Sequence, residues 1–238
     1  MKGRLMEIKN DIIRQKINMR EIYRYLGYGA NVPDETVKST VEEIIDSLTR
    51  TINPKHVYKL YTCKVLESTI LLRDNADIEQ QITFQSKNLS YNLMQCSQVA
   101  LLAATLGIEA DKLLQRYEIL NMAKAAIVQA CGAACIEAYC DILQENICKE
   151  ASAYGKKLYL RPRFSPGYGD LPLENQTAIF RALECTKRIG LTLTESFLMY
   201  PTKSVTAFIG LTANTLSCHI DKCKDCDFVE CEFRKEET

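Results

Sequence analysis

The chain has 238 residues, 47% of them apolar and 25% charged, which is the composition of a folded globular protein and not of a disordered, collagen-like or purely coiled-coil one. With only 10 Gly and 6 Pro it favours long elements over many short turns, and it is long enough to bury a sizeable core without disulfide or metal staples. Its 30 basic and 30 acidic residues cancel, so no nucleic-acid partner is expected, because neutralising phosphates takes a basic surplus.

The opening MKGRLMEIKNDIIRQK carries charges every few residues and does not read as a signal peptide. The most apolar stretch, Val99 to Ile108, is interrupted by Thr105 and Gly107 and falls short of the ~20 residues that span a bilayer. A cytoplasmic protein without a membrane partner is expected.

In chain order, the first expected element is a helix over 5–26, from apolar residues at Leu5, Ile8, Ile12, Ile13, Ile17, Ile22 and Leu26. Gly27-Tyr28-Gly29-Ala30-Asn31 breaks it. Asp34 caps a second helix, striped by Val37, Val41, Ile44, Ile45 and Leu48, which Asn53-Pro54 ends. His56–Val65 reads as a strand, 79–84 as a short strand beside it, and Ser86–Leu93 as a short helix. Ser97–Leu106 fits a buried strand, although periodicity alone leaves a helix open.

The longest predicted element is a helix from Glu109 to Ala153. Its centre is rich in Ala, and Gly132 there costs about 1 kcal/mol against Ala, which points to a close packing contact. Lys156–Phe164 alternates, with Leu158, Leu160 and Phe164 on one face and Lys157, Tyr159, Arg161 and Arg163 on a basic, aromatic outer face. A helix over 174–189 is stopped by Gly190, and strands are expected at Leu191–Thr194 and Ser204–Leu211. The order of elements predicts an α+β fold with a twisted antiparallel or mixed sheet and long helices.

The segment Arg161–Pro172 is the most informative. Pro166 pre-sets the first corner of a turn and Gly167 accepts positive φ at the second. Arg163 offers a planar fork for a carboxylate, and Tyr168 a ring face for a flat or cationic group. Together these suit a zwitterionic ligand with a cationic centre; an ordinary surface turn is the competing reading.

Arg163-x-Ser165-Pro166-Gly167-Tyr168, followed by Pro172, resembles the S-adenosylmethionine-binding loop of the activation domain of cobalamin-dependent methionine synthase. Ser196-Phe-Leu-Met199-Tyr-Pro201-Thr-Lys-Ser204-Val205 resembles that family's S-x-x-M-x-P-x-x-S-V stretch, in the expected order and separation. The resemblance covers residues 1–215 as a free-standing short form of the domain, with 216–238 as an added cysteine-rich tail. It implies that Arg163 contacts the ligand carboxylate, while Ser165, Gly167 and Tyr168 cradle the rest. The family's aromatic from the following strand is represented by the adjacent Phe208, the matching position being Ile209.

The resemblance further implies a function: support for reductive methylation, by which oxidised cobalamin is returned to service through one-electron reduction coupled to methyl transfer from S-adenosylmethionine. Reduced cobalt is then the nucleophile, so no catalytic acid or base is expected in this chain. Of the two histidines, neither His56 nor His219 sits in the D-x-H-x-x-G setting of a cobalamin module, so cobalamin is expected only through a partner. That partner is a corrinoid methyltransferase subunit, and a flavodoxin- or ferredoxin-like reductant is a further expected one. His56, in its strand-like run, reads as structural.

Cys218-x4-Cys223-x2-Cys226-x4-Cys231 gathers four of the 11 cysteines into the acidic tail. The spacing suits a zinc ion or an iron–sulfur cluster, and leaves the two open. The alternative function is therefore a metal-cluster electron-transfer or assembly protein with a vestigial S-adenosylmethionine site.

Overall fold

The structure is a computed structural model and describes residues 8–29, 31–74, 81–152 and 157–214. Its N-terminal helical segment is two helices, α1 (Asn10–Lys16) and α2 (Met19–Tyr25), where the sequence suggested one. The break falls at Ile17-Asn18, both extended, and the Asn18 side chain accepts from Arg20 N–H. Asparagine competes for backbone groups in a helix interior but satisfies an orphan donor at a cap, so it starts a helix here. α3 (Glu35–Thr51) begins as expected, with Asp34 accepting from Val37 N–H at 2.8 Å, and buries Val41, Ile44, Ile45 and Leu48.

β1 (Lys55–Leu66) turns through Glu67, in the left-handed region at φ 54°, into β2 (Thr69–Asp74), a strand the sequence reading passed over. β3 (Gln81–Gln85), α4 (Lys87–Asn92) and β4 (Gln98–Thr105) follow, then α5 (Ile108–Leu120) and α6 (Met122–Ser152). The long predicted helix is thus two, separated at Asn121, whose backbone is extended. After the short β5 (Tyr159–Leu160) and a single 3-10 turn come α7 (Gln176–Leu183) and α8 (Cys185–Ile189). These divide the expected 174–189 helix at Glu184, which adopts φ 51°. β6 (Thr192–Leu193) pairs with β7 (Met199–Tyr200), and β8 (Ser204–Thr212) closes the described chain.

Six strands form one sheet in the order β3-β2-β1-β4-β8-β5, and every neighbouring pair is antiparallel. β4 lies inside it, covered on both faces. Ala100, Leu102 and Ala104 join the side chains of α1, α2, α3 and α6, and Val99, Leu101 and Ala103 join those of α4, α7 and α8. Double coverage is why its sequence is a continuous apolar run instead of an alternating one.

The sheet is strongly curled. β3 and β8 are four strand spacings apart, about 19 Å along a flat sheet. Yet Phe84 of β3 and Phe208 of β8 meet edge to face, ring centroids 4.9 Å apart. α6 is the one described helix long and apolar enough to cross a membrane, and most of its apolar stretch is buried inside the fold.

Candidate functional site

The strand leading to the loop carries a bulge that re-aims its side chains. Leu160 lies opposite Leu211, and Arg161 N–H donates to Gly210 O at 2.8 Å. Phe164, however, exchanges both backbone bonds with Phe208, at 3.0 and 2.7 Å. One residue more is therefore spent on this strand than on β8, at Pro162-Arg163, where proline has no N–H to lose from the ladder. The inserted residue turns Phe164 to the face opposite Leu158 and Leu160, against the alternation expected from sequence. Arg161, expected on an outer face, is instead buried and donates through Nη2 to Met94 O at 2.8 Å.

Beyond the bulge, Tyr168 N–H donates to Ser165 O at 3.2 Å around Pro166 and Gly167. Gly167 sits at φ 92°, so the turn is type II and its third position needs glycine. A Cβ there would also come within 3.2 Å of Leu173 Cδ1. Gly167 N–H donates onward to Leu171 O at 2.8 Å, and Tyr168 is 67% exposed at the turn's tip.

Asp170 clamps the loop to the start of α4. Its carboxylate accepts from Lys87 N–H at 2.7 Å, from Asn88 N–H at 3.1 Å and from the Ser86 hydroxyl. Desolvation opposes its charge, but these bonds outweigh it and hold the carboxyl below its ordinary value. Gly169 passes so close to Asn88 that a Cβ would lie 2.9 Å from Asn88 Cγ.

Arg163 reaches across to α6. Its Nη2 meets Glu137 Oε2 at 2.6 Å, and its Nη1 meets Asp141 Oδ1 at 2.6 Å and Gln144 Oε1 at 2.9 Å. The arginine side chain is 15% exposed, while the two acids are about half exposed. Burial disfavours the charge, but Cys140, Glu137 and Asp141 prevail and keep the guanidinium charged well above its ordinary range. One cation against two carboxylates leaves a net negative rim. Glu137, Asp141 and Gln144 were not singled out in the sequence, where they are ordinary polar positions on a long helix; their i, i+4 and i+7 spacing along one face was the available signal.

The Ser196–Val205 motif holds the link from β7 to β8. Thr202 donates to Asp111 of α5 through both its N–H, at 3.1 Å, and its hydroxyl. Lys203 lays its stem along Gly132 and donates to Gln129 O at 3.1 Å. This is the close contact the mid-helix glycine implied. Ser204 donates to Pro201 O at 2.6 Å. Phe208 is fully buried; it touches the loop strand through its backbone while its ring lies on Phe84.

His56 is buried against Tyr139, its Nδ1 2.8 Å from the phenol oxygen, and desolvation lowers its pKa to about 4. None of the described cysteines is in a disulfide, and burial pushes the thiols of Cys63, Cys131, Cys135, Cys140 and Cys185 up to about 12. Among the described residues no three His, Cys, Asp or Glu are placed to share a metal ion. Cys218, Cys223, Cys226, Cys231 and His219 lie outside the described residues.

The family model for the activation domain of vitamin B12-dependent methionine synthase matches residues 35–236, a span that takes in the four tail cysteines. Among solved structures, the crystal structure of the MetH reactivation domain bound to AdoHcy is similar at a TM-score of 0.67 and 20% identity. That likeness covers 87% of this chain and 77% of the other. No curated protein matches.

Proposed function

Because the chain belongs to the vitamin B12-dependent methionine synthase activation-domain family, we propose that it binds S-adenosylmethionine between the Ser165–Tyr168 turn and the acidic face of α6, and presents it to the corrinoid of a partner protein. The observation that carries this reading is the type II turn at Gly167, four residues after an arginine of intermediate burial with two carboxylate partners. A similar solved domain is described with S-adenosylhomocysteine bound, which supports the ligand class.

The residues fit a zwitterionic sulfonium. Gly167 supplies the positive φ that carries Tyr168 to the exposed tip of the turn, and the Tyr168 ring offers a π-face to a purine or a cation. The ligand carboxylate takes the place of one α6 acid on Arg163, and the acid so released pairs with the ligand's ammonium. Charges are conserved in this exchange, so no ion is left buried alone. The remaining carboxylate favours the sulfonium. Phe208 acts from beneath, by fixing Phe164 and hence the start of the loop.

When bound, the donor supplies an electrophilic methyl that reduced cobalt takes from sulfur, leaving S-adenosylhomocysteine. This chain's residues orient that methyl and supply no proton, so positioning is their whole contribution. A metal at Cys218, Cys223, Cys226 and Cys231 is a separate proposal resting on their spacing, and metal analysis with visible absorption after anaerobic purification tests it.

The functional test combines the chain with a cobalamin-loaded methionine synthase lacking its own activation domain, a one-electron reductant and methyl-labelled S-adenosylmethionine. Label should move to the corrinoid protein only when the chain is present. Equal transfer without it removes the proposed role.

A further inference from the structure

The direction in which Arg163 leaves its strand decides whether its guanidinium can reach α6. Pro162 precedes it, and the proline ring locks φ there, so a single torsion, ψ, is left to aim the next residue. The peptide between the two is planar, and the Pro162 carbonyl and the Arg163 N–H turn together. Whatever holds that carbonyl therefore sets the starting direction of Arg163. On the far side, Phe164 is already fixed by its paired backbone bonds to Phe208.

The group that holds the carbonyl is Asn92, the last residue of α4, whose Nδ2 donates to Pro162 O at 3.2 Å. α4 is a firm base for it. Ser86 caps the helix by accepting from Leu89 N–H at 2.9 Å, and Leu89 and Leu93 are fully buried in the cluster that holds Phe84 and Phe208. A second bond supports the first. Arg161, just before the proline, reaches Met94 O beyond the helix end, and its stem fills the space that Gly210 leaves; a Cβ there would lie 3.0 Å from Arg161 Cγ. Asp170 meets the start of the same helix, so the loop hangs from both ends of α4.

Asn92 is also costly where it stands. It is 3% exposed, and its Oδ1 has no hydrogen-bond partner among the described residues. An orphan acceptor at this depth destabilises the fold, and a leucine would bury none. The contribution of the amide is then the bond it donates.

We propose that Asn92 is a positioning residue for the ligand-binding arginine: by holding Pro162 O it aims Arg163 at α6, and so places the fork that receives the carboxylate of the methyl donor. The inference rests on the S-adenosylmethionine reading. Asn92 itself touches no ligand and acts through Arg163 alone.

Calorimetric titration of the full chain with S-adenosylmethionine tests this across four proteins: wild type, Asn92→Leu, Arg163→Ala and the double variant. Asn92→Leu is close in size to the wild type; it should stay folded by circular dichroism and bind about fivefold to tenfold more weakly. In the Arg163→Ala background the same change should cost less than about twofold, because the side chain it aims is gone. Methylthioadenosine, which lacks the amino-acid arm, should bind wild type and Asn92→Leu alike. Unchanged S-adenosylmethionine affinity in folded Asn92→Leu would overturn the inference and leave the S-adenosylmethionine reading standing. An equal loss in both backgrounds, or a parallel loss for methylthioadenosine, would also overturn it, since either gives Asn92 a general structural role. No binding by wild type would overturn that reading and this inference with it. If leucine prevents folding, Asn92→Ala, which only shortens the side chain, takes its place in the cycle with the same outcomes.

Discussion

Arg163 and Asp141 meet at 2.6 Å across the gap between the loop strand and α6, and the same guanidinium holds Glu137 at 2.6 Å. The arginine that heads the glycine turn is therefore both a potential ligand for an anion and the tie that fastens the turn to the longest helix. On the proposed reading, ligand binding and loop placement are coupled through that one side chain.

The other tie is Asp170. Its folded-state pKa is depressed, so the stability it adds is present above its ordinary value of 3.8 and disappears as the pH falls through the lower folded value. The group is exposed, so the gain is small. Asp170→Ala should lower S-adenosylmethionine affinity more than it lowers the melting temperature, because it frees the loop while leaving the core intact. Titration calorimetry alongside thermal melts separates the two effects.

His56 behaves oppositely to a surface histidine. Its pKa falls from 6.5 to about 4 through desolvation. The unfolded chain thus takes up a proton between those values while the folded chain does not, and stability drops as the pH is lowered through that window. At about 1.4 kcal/mol per pH unit the loss reaches about 3 kcal/mol. The imidazole proton shifts of His56 should stay flat from pH 8 to pH 5; a midpoint near 6.5 contradicts its buried pairing with Tyr139.

Gly132 and Lys203 form a coupled pair. Alanine at 132 gains about 1 kcal/mol of helix propensity, but its Cβ would lie 2.8 Å from Lys203 Cε, whose amine is tied to Gln129 O. Overpacking of this kind costs about 1–3 kcal/mol, so Gly132→Ala should destabilise the wild type slightly. In a Lys203→Ala background the same change should stabilise. Urea melts of the four proteins in the cycle measure the sign reversal.

Phe208 supports the loop by packing. Phe208→Ala should cost about 3–5 kcal/mol, as for other buried phenylalanines. Phe208→Leu should fold with only a modest loss and keep most of its ligand affinity. A Phe208→Leu protein that folds fully but binds nothing would instead give the ring a direct ligand role.

Much of this arrangement was legible in the sequence because local chemistry specified it. Asp34 at the start of α3, the apolar run of β4, and the Pro166-Gly167 turn each read correctly. Three misreadings share one cause, a break with no glycine or proline to mark it. Glu67 turns β1 into β2, Glu184 parts α7 from α8, and Asn121 parts α5 from α6, each by backbone conformations that a polar residue rarely advertises. The bulge at Pro162-Arg163 inverted the expected face of Phe164 because alternation has no memory of an inserted residue. Glu137 and Asp141 escaped notice because their meaning comes from Arg163, more than twenty residues away along the chain.

Titration of wild type and Arg163→Ala with S-adenosylmethionine, with circular dichroism as the check on folding, bears most directly on the proposed site between the turn and α6. Wild type should bind at a single site, and Arg163→Ala, folded, should bind at least about tenfold more weakly, a difference of about 1.4 kcal/mol. A wild-type chain that shows no binding, or a folded Arg163→Ala that binds as tightly, would contradict the proposed site.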